Sequence, residues 1–305
     1  MKVLIHTDLD GKACGAILTR RFPDADLINY NYFYEPDRSI DLIETDEEVI
    51  FADITPKPEH LAAVMTITKR ITIFDHHSSS LRDLTAAGLT FPGTQTKDGL
   101  GACLLVWEYY YPERPVPSGI RWIAEYDAWE RTADNKMFNF GLKKFNIFPT
   151  NWIWNKILLN DEVFVDKVMS IGRELLAYLV PWYKRLVRSY AITGYVIDDV
   201  HDKVPNRYSA ILLNQGAVDS SVFDDADKPY DIYIRAVFGK NLCWLVSITT
   251  NRDDIDVSEI ANQFGGGGHR KAAGFAIDDL FDFFVPHASE ISKCIDLPKA
   301  DQMHA

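Results

Sequence analysis

The sequence predicts an α/β protein: an N-terminal, mainly parallel sheet flanked by helices, a helical connector, and a smaller C-terminal α/β domain. Three observations carry this. Short apolar runs alternate with helix-length stretches through the first half. A long helical pattern follows. From Ala191 onward, closely spaced β-rich runs take over. The predicted boundaries are 1–150 for the first domain, 151–190 for the connector and 191–297 for the second domain. The tail after Pro298 is expected to fray.

Each element has its own reason. Lys2 to His6 is a short apolar run that reads as a strand, and Gly11 to Phe22 places Ala13, Ala16, Ile17 and Leu18 on one helical face. Ala25 to Asn31, Glu48 to Ile54 and Arg70 to Asp75 read as further strands. Pro58 to Met65 and Gly101 to Tyr111 read as helices. Strand–helix alternation at this spacing implies crossover connections and a parallel sheet. Ligands in such sheets bind beyond the carboxyl ends of the strands. Glu162 to Tyr190 is helical in pattern, with Pro181 expected to kink or break it. Ala191–Ile197, Ser209–Leu213, Tyr230–Phe238 and Leu242–Thr249 read as strands. Val257 to Phe264 reads as a helix running into four glycines.

Composition narrows the function. The chain carries 32 Lys and Arg against 44 Asp and Glu, a net charge of -12. A protein gripping long nucleic acid draws most of its affinity from a basic stripe, and no Lys/Arg block is present. A nucleic-acid substrate here is therefore expected to be short and held by a few specific contacts. No apolar run approaches transmembrane length, and Val3-Leu4-Ile5 ends at His6, unlike a signal peptide. Cys14, Cys103, Cys243 and Cys294 are widely separated with no CxxC pairing. They read as reduced, buried thiols of a cytoplasmic protein with no membrane association.

Four clusters carry the chemistry. His6-Thr7-Asp8-Leu9-Asp10-Gly11 lies where the first strand turns into a helix. Asp53 ends the strand Val49-Ile50-Phe51-Ala52. Asp75-His76-His77 ends Ile71-Thr72-Ile73-Phe74. Asp127 stands in Glu125-Tyr126-Asp127-Ala128-Trp129. Taken singly each has a plainer explanation: Asp53 as a turn or cap residue, the two histidines as a surface pair, Asp127 as a helix cap or a partner of Arg131. Their joint placement on one sheet edge points instead to metal ligation. Carboxylates and imidazoles without thiolates suit Mn²⁺ or Mg²⁺. The donors are numerous enough for two ions, which together can clamp the attacking and leaving oxygens of an in-line phosphoryl displacement.

These clusters resemble, in order and spacing, the four motifs of the DHH-family phosphoesterases. The run Gly265-Gly266-Gly267-Gly268-His269-Arg270-Lys271-Ala272-Ala273-Gly274 resembles the signature of the accompanying DHHA1 domain. The first motif is most similar to that of oligoribonucleases of the nanoRNase B type. The resemblance implies that His6 and Asp8 bind a first cation, that Asp10, His76 and Asp127 bind a second, and that Asp53 bridges the two. It implies that Asp75 orients a neighbouring histidine, that His77 contacts substrate or positions the scissile phosphate, and that His269 approaches a phosphate. Gly265, Gly266, Gly267 and Gly268 would cradle a phosphate with backbone amides. Two divalent cations are implied, Mn²⁺ ahead of Mg²⁺.

Arg270 and Lys271 are candidate substrate contacts, as is Arg235, which lies inside a predicted strand where a charge needs a partner. The aromatic run Tyr30-Asn31-Tyr32-Phe33-Tyr34 offers either base stacking or core packing, and Trp129 and Arg131 flank Asp127 closely enough to line the site. The expected function is hydrolysis of short single-stranded RNA or DNA oligonucleotides to nucleoside monophosphates. A cyclic dinucleotide or a nucleotide 3′,5′-bisphosphate is the alternative substrate, and a non-catalytic nucleotide-binding module is the contrasting class. A family-II-type pyrophosphatase shares the first domain but not the glycine run. A homodimer is compatible with all of these.

Overall fold

The computed structural model describes residues 1–30, 40–91, 95–96, 100–198, 206–216 and 218–290. The chain divides into two compact units, Met1–Tyr178 and Leu179–Ala305.

The first unit is built on a five-stranded sheet in which every pairing is parallel. Its strands are β1 (Lys2–Ile5), β2 (Asp26–Asn29), β3 (Val49–Ala52), β4 (Ile71–Asp75) and β5 (Gln95–Thr96), in the spatial order β2-β1-β3-β4-β5. Side chains alternate across a strand, and both faces of this sheet are apolar. Val3, Ile5, Ile50, Ala52 and Phe74 point into one core with α1 (Leu9–Arg21), α4 (Ala102–Tyr110) and α5 (Ser118–Asp127). Leu4, Val49, Phe51, Ile71 and Ile73 point into the other, where Leu61 and Val64 of α2 (Pro58–Ile67) and Leu84 of α3 (Ser78–Ala86) meet them. Two-sided burial explains why these strands read as continuous apolar runs.

Three further helices complete the unit: α6 (Ala133–Leu142), α7 (Trp152–Leu158) and the start of α8 (Glu162–Tyr190). Two glycines let α6 and α8 approach closely. A Cβ at Gly141 would collide with the Val168 carbonyl, and one at Gly172 with the Met137 carbonyl. Pro181 does not break the long helix, and α8 runs through it to Tyr190. Pro181 and Ala177 are exposed, so water can take the Ala177 carbonyl that the missing proline N–H leaves unbonded.

The second unit is organised around a seven-stranded mixed sheet. Its strands are β6 (Ile192–Asp198), β7 (Asn206–Asn214), β8 (Ile232–Phe238), β9 (Trp244–Thr249), β10 (Gly267–His269), β11 (Ala272–Ile277) and β12 (Phe284–Pro286), ordered β10-β11-β9-β8-β7-β6-β12. Only β7 and β8 run parallel. One face packs Ile232, Ile234, Val246, Ile248 and Phe275 with α9 (Val257–Gln263). The other packs Ile211, Leu213 and Tyr233 beneath Tyr183. Among the described residues, no helix is long and apolar enough to cross a membrane. Cys14 and Cys103 are buried and Cys243 only partly so; all three are free thiols, and Cys294 lies outside the described residues.

Gly172→Ala should destabilise the first unit by about 1–3 kcal/mol, because the new methyl must push two helix backbones apart. A urea denaturation midpoint that does not move would contradict this account of the crossing.

Candidate metal centre

The site forms where three neighbouring strands end. In register, Ile5 lies beside Ala52, and Ala52 beside Phe74. The residues that follow, His6, Asp53 and Asp75, are therefore adjacent at one carboxyl edge. Asp53 turns off its strand with φ 61°, a left-handed conformation that Asp tolerates better than most residues. Its amide donates to the Phe74 carbonyl at 2.7 Å.

Helix α1 begins immediately beyond β1. Asp8 is its N-cap and accepts from the Gly11 amide at 3.0 Å. A Cβ at Gly11 would collide with the His6 backbone, so glycine permits the tight strand-to-helix turn. Asp10 sits in the first turn, fully buried, and caps a second helix. Its Oδ2 accepts from Ala102 N at 2.6 Å and its Oδ1 from Cys103 N at 3.0 Å. The N-cap residue of α4, Gly101, supplies no side-chain bond of its own, so a carboxylate ninety residues away meets those amides.

Two donor groups result, and they share one residue. His6 Nδ1 lies 2.7 Å from Asp8 Oδ2 and 3.6 Å from Asp53 Oδ2. His76 Nε2 lies 3.2 Å from Asp53 Oδ1, 3.1 Å from Asp127 Oδ2 and 3.6 Å from Asp10 Oδ2. The ligand atoms of His6, Asp8 and Asp53 all fall within 4.8 Å of one another, as do those of Asp10, Asp53, His76 and Asp127. Asp127 is the last residue of α5 and 29 % exposed, so the cage opens on that side.

Electrostatics mark the cage as built for added positive charge. Burial, then the Asp8 charge, push the Asp53 carboxyl up to about 6. Burial, then the charges of Asp53 and Asp127, push Asp10 well above the carboxylate range. Burial opposes protonation of His6, but Asp8 and Asp53 outweigh it and raise the imidazole to about 11. His76 is likewise raised against its burial by hydrogen bonds to Asp127 and Asp53. Among the described residues, Asp53 Oδ2 is buried with no hydrogen bond, His6 Nδ1 standing 3.6 Å away. A buried carboxylate oxygen without a donor is costly unless a cation meets it. The carboxylate and imidazole set fits hard to borderline divalent cations.

Asp75 faces a different duty. Its Oδ1 accepts from the amides of His76 at 2.8 Å and His77 at 3.2 Å and lies 2.6 Å from His77 Nδ1, while its Oδ2 accepts from the Thr55 hydroxyl at 2.5 Å. Burial would raise Asp75, but the neighbouring His77 outweighs it and holds the carboxyl well below its usual range. Thr55 carried no signal in the sequence.

Gly265, Gly266, Arg235, Arg270 and Lys271 have partners within the second unit. The Gly265 amide donates to Asn262 O at 3.1 Å and the Gly266 amide to Ala261 O at 3.0 Å, the paired bonds of a Schellman cap closing α9. Gly265 has φ 73° and Gly268 φ 143°; a Cβ at Gly266 would collide with Gly274 O, and one at Gly268 would come within 2.6 Å of Ala272 O. The run is thus a helix stop passing into the β10–β11 hairpin, and the Gly265 and Gly266 amides are committed to the helix end. His269 ends β10, opposite Ala272. Arg270 donates to Asp253 O at 2.8 Å, and Lys271 to Arg252 O at 2.5 Å and Asp253 Oδ1 at 2.7 Å. Arg235 donates to Val218 O at 2.5 Å and Ser247 Oγ at 2.7 Å, which satisfies two of its N–H groups. Tyr30 is core, and the rest of that aromatic run lies outside the described residues. Arg131 stacks over Trp129, its guanidinium carbon 3.7 Å from the ring centroid.

No family model matches the chain. It is similar to two curated proteins. An uncharacterized protein, R106, of Acanthamoeba polyphaga mimivirus is 26% identical over 245 residues, covering 77% of this chain and 54% of the relative. Oligoribonuclease NrnB of Bacillus subtilis is 26% identical over 318 residues, covering 94% of this chain and 75% of the relative. The chain thus spans about half the length of the first and three quarters of the second. Among solved structures, the pGpG-specific phosphodiesterase PggH from Vibrio cholerae is 16% identical with a TM-score of 0.46, covering 96% of this chain and 97% of that one. RecJ in complex with Mn²⁺ from Thermus thermophilus is 15% identical with a TM-score of 0.47, covering 92% and 50%. The curated oligoribonuclease match bears out the resemblance to DHH-family phosphoesterases that the motifs carry.

Cation loading should release protons at neutral pH, since His6 holds one until about pH 11 in the cation-free protein. Affinity should fall as pH drops through about 6, where Asp53 takes up a proton that a cation must displace. Mn²⁺ calorimetry in two buffers of different ionisation enthalpy measures both. Equal heats in the two buffers, with affinity flat from pH 7.5 to 5.5, would contradict the site.

Proposed function

We propose that this chain is a two-cation phosphodiesterase that hydrolyses short oligonucleotides to nucleoside monophosphates, with Mn²⁺ as the preferred ion. The observation that carries it is the sharing of Asp53 between two donor groups, His6 and Asp8 on one side and Asp10, His76 and Asp127 on the other. A pair of cations held there would activate a water and neutralise the charge that develops on the scissile phosphate.

The chain's own residues then have distinct duties. Asp53 supplies a carboxylate to both groups and is fixed by a left-handed backbone turn. Asp8 and Asp10 are aimed by the helix amides they accept. His77, its Nδ1 engaged by Asp75, turns its Nε2 to the substrate phosphate. In the second unit we assign the hairpin beginning at Gly267, together with His269, to phosphate binding; Gly265 and Gly266 are excluded because their amides close the helix. The net charge of -12 favours a short substrate over a long one, and NrnB, an oligoribonuclease by name, spans 94% of this chain.

The test is a Mn²⁺-supplemented panel of dinucleotides, five-mers, longer RNA and DNA, cyclic dinucleotides and a nucleotide 3′,5′-bisphosphate, with products resolved by size. Dinucleotides and five-mers should be consumed fastest, yielding monophosphates. Preferred turnover of the cyclic or bisphosphate substrate would replace the oligonucleotide assignment.

Asp53→Ala should lower turnover by more than about 10²-fold and reduce bound Mn²⁺ from two ions per chain, with the far-UV circular dichroism unchanged. A variant that still turns over at a tenth of the wild-type rate would overturn the bridging role.

A further inference from the structure

We propose that Thr55 is a positioning residue for the reaction: its hydroxyl locks Asp75 so that Asp75 fixes the ring of His77 with Nε2 presented outward. The inference rests on the phosphodiesterase assignment above and extends it to a residue that neither the motifs nor the ligand set includes.

The geometry is a chain of three groups. Thr55 lies two residues past Asp53, in the segment that leaves β3, and is 2 % exposed. Its Oγ1 donates to Asp75 Oδ2 at 2.5 Å. Asp75 is fully buried at the end of β4, and its other oxygen lies 2.6 Å from His77 Nδ1. The His77 side chain keeps 15 % of its surface exposed, and its ring stands edge-on to His6 with centroids 6.1 Å apart. The His77 ring is thus held beside the cage through its Nδ1.

The arrangement works because of what a carboxylate can accept. Asp75 Oδ1 already receives two main-chain amides and the His77 ring. Rotation about the Cβ–Cγ bond would swing both oxygens together, and the three bonds on Oδ1 resist it more firmly when Oδ2 is held as well. Thr55 holds it, so the plane of Asp75 and with it the plane of His77 are set by a contact that spans two strand ends. A carboxylate on Nδ1 keeps the proton there and fixes the tautomer of the ring, the device by which metal-site and catalytic histidines are oriented. Threonine suits the role because its methyl fills the buried site while its hydroxyl donates. Valine has the same shape and no donor, so it leaves Oδ2 buried without a partner.

The experiment pairs two variants, Thr55→Val and Thr55→Ser, with two readouts. In the first, ¹⁵N-detected spectra of the cation-free wild type should show the His77 ring protonated at Nδ1. Thr55→Val should broaden or shift that signal, and Thr55→Ser should retain it. In the second, steady-state kinetics with Mn²⁺ and a dinucleotide should show kcat lowered at least tenfold in Thr55→Val, with KM and Mn²⁺ affinity within twofold of wild type. Thr55→Ser should keep kcat within threefold. The proposal is overturned if Nδ1 is unprotonated in the wild type, if Thr55→Val retains half of kcat, or if Thr55→Ser is as impaired as Thr55→Val. Should the wild type hydrolyse no diester, the functional assignment alone fails, and the spectra still decide the role of Thr55.

Discussion

Everything at the strand ends answers to one electrostatic constraint: Asp8, Asp10, Asp53 and Asp127 crowd around two imidazoles, and Asp10 and Asp53 are buried from water. Carboxylates in such proximity cannot all ionise unless positive charge or oriented dipoles compensate. The fold supplies part of that compensation locally. The first turn of α1 meets Asp8, and the first turn of α4 meets Asp10. His6 and His76 stand between the remaining oxygens. What is left over, chiefly Asp53, is the residual negative potential that cations can satisfy.

The same constraint explains why a parallel sheet suits this chemistry. Parallel pairing sends β1, β3 and β4 out of the sheet on the same edge, so the residues that follow the three strands meet at one site. Two apolar faces hold the strands in register, and a slip by one residue would carry Asp53 to the other side of its pleat. Core packing on both faces therefore sets the spacing of the ligands.

The sequence was most legible where function coincides with strand ends. His6, Asp53 and Asp75 announce themselves because apolar runs stop at them. Asp127 ends a helix instead; it stands among the four clusters read from the sequence, and family resemblance implies its role as a ligand of the second cation. The contacts of Thr55 with Asp75 and of Ala102 with Asp10 cross 20 and 92 residues, and nothing in local pattern encodes a partner at that distance. The helices over 118–158 went unassigned because their apolar stripes are short and interrupted. The glycine run shows how one residue type serves several ends. Glycines serve helix stops, tight hairpins and anion loops for the same reason, the lack of a Cβ, and here the first two uses already account for Gly265, Gly266 and Gly268.

The left-handed turn at Asp53 has an evolutionary corollary. Most side chains resist that region of backbone space; glycine, asparagine and aspartate do not. Drift away from catalysis in a descendant of this protein would thus be funnelled through very few replacements at this position. A descendant carrying Asn or Gly there could lose its chemistry while preserving its architecture, which is how an enzyme scaffold becomes available for duties that need only a shape.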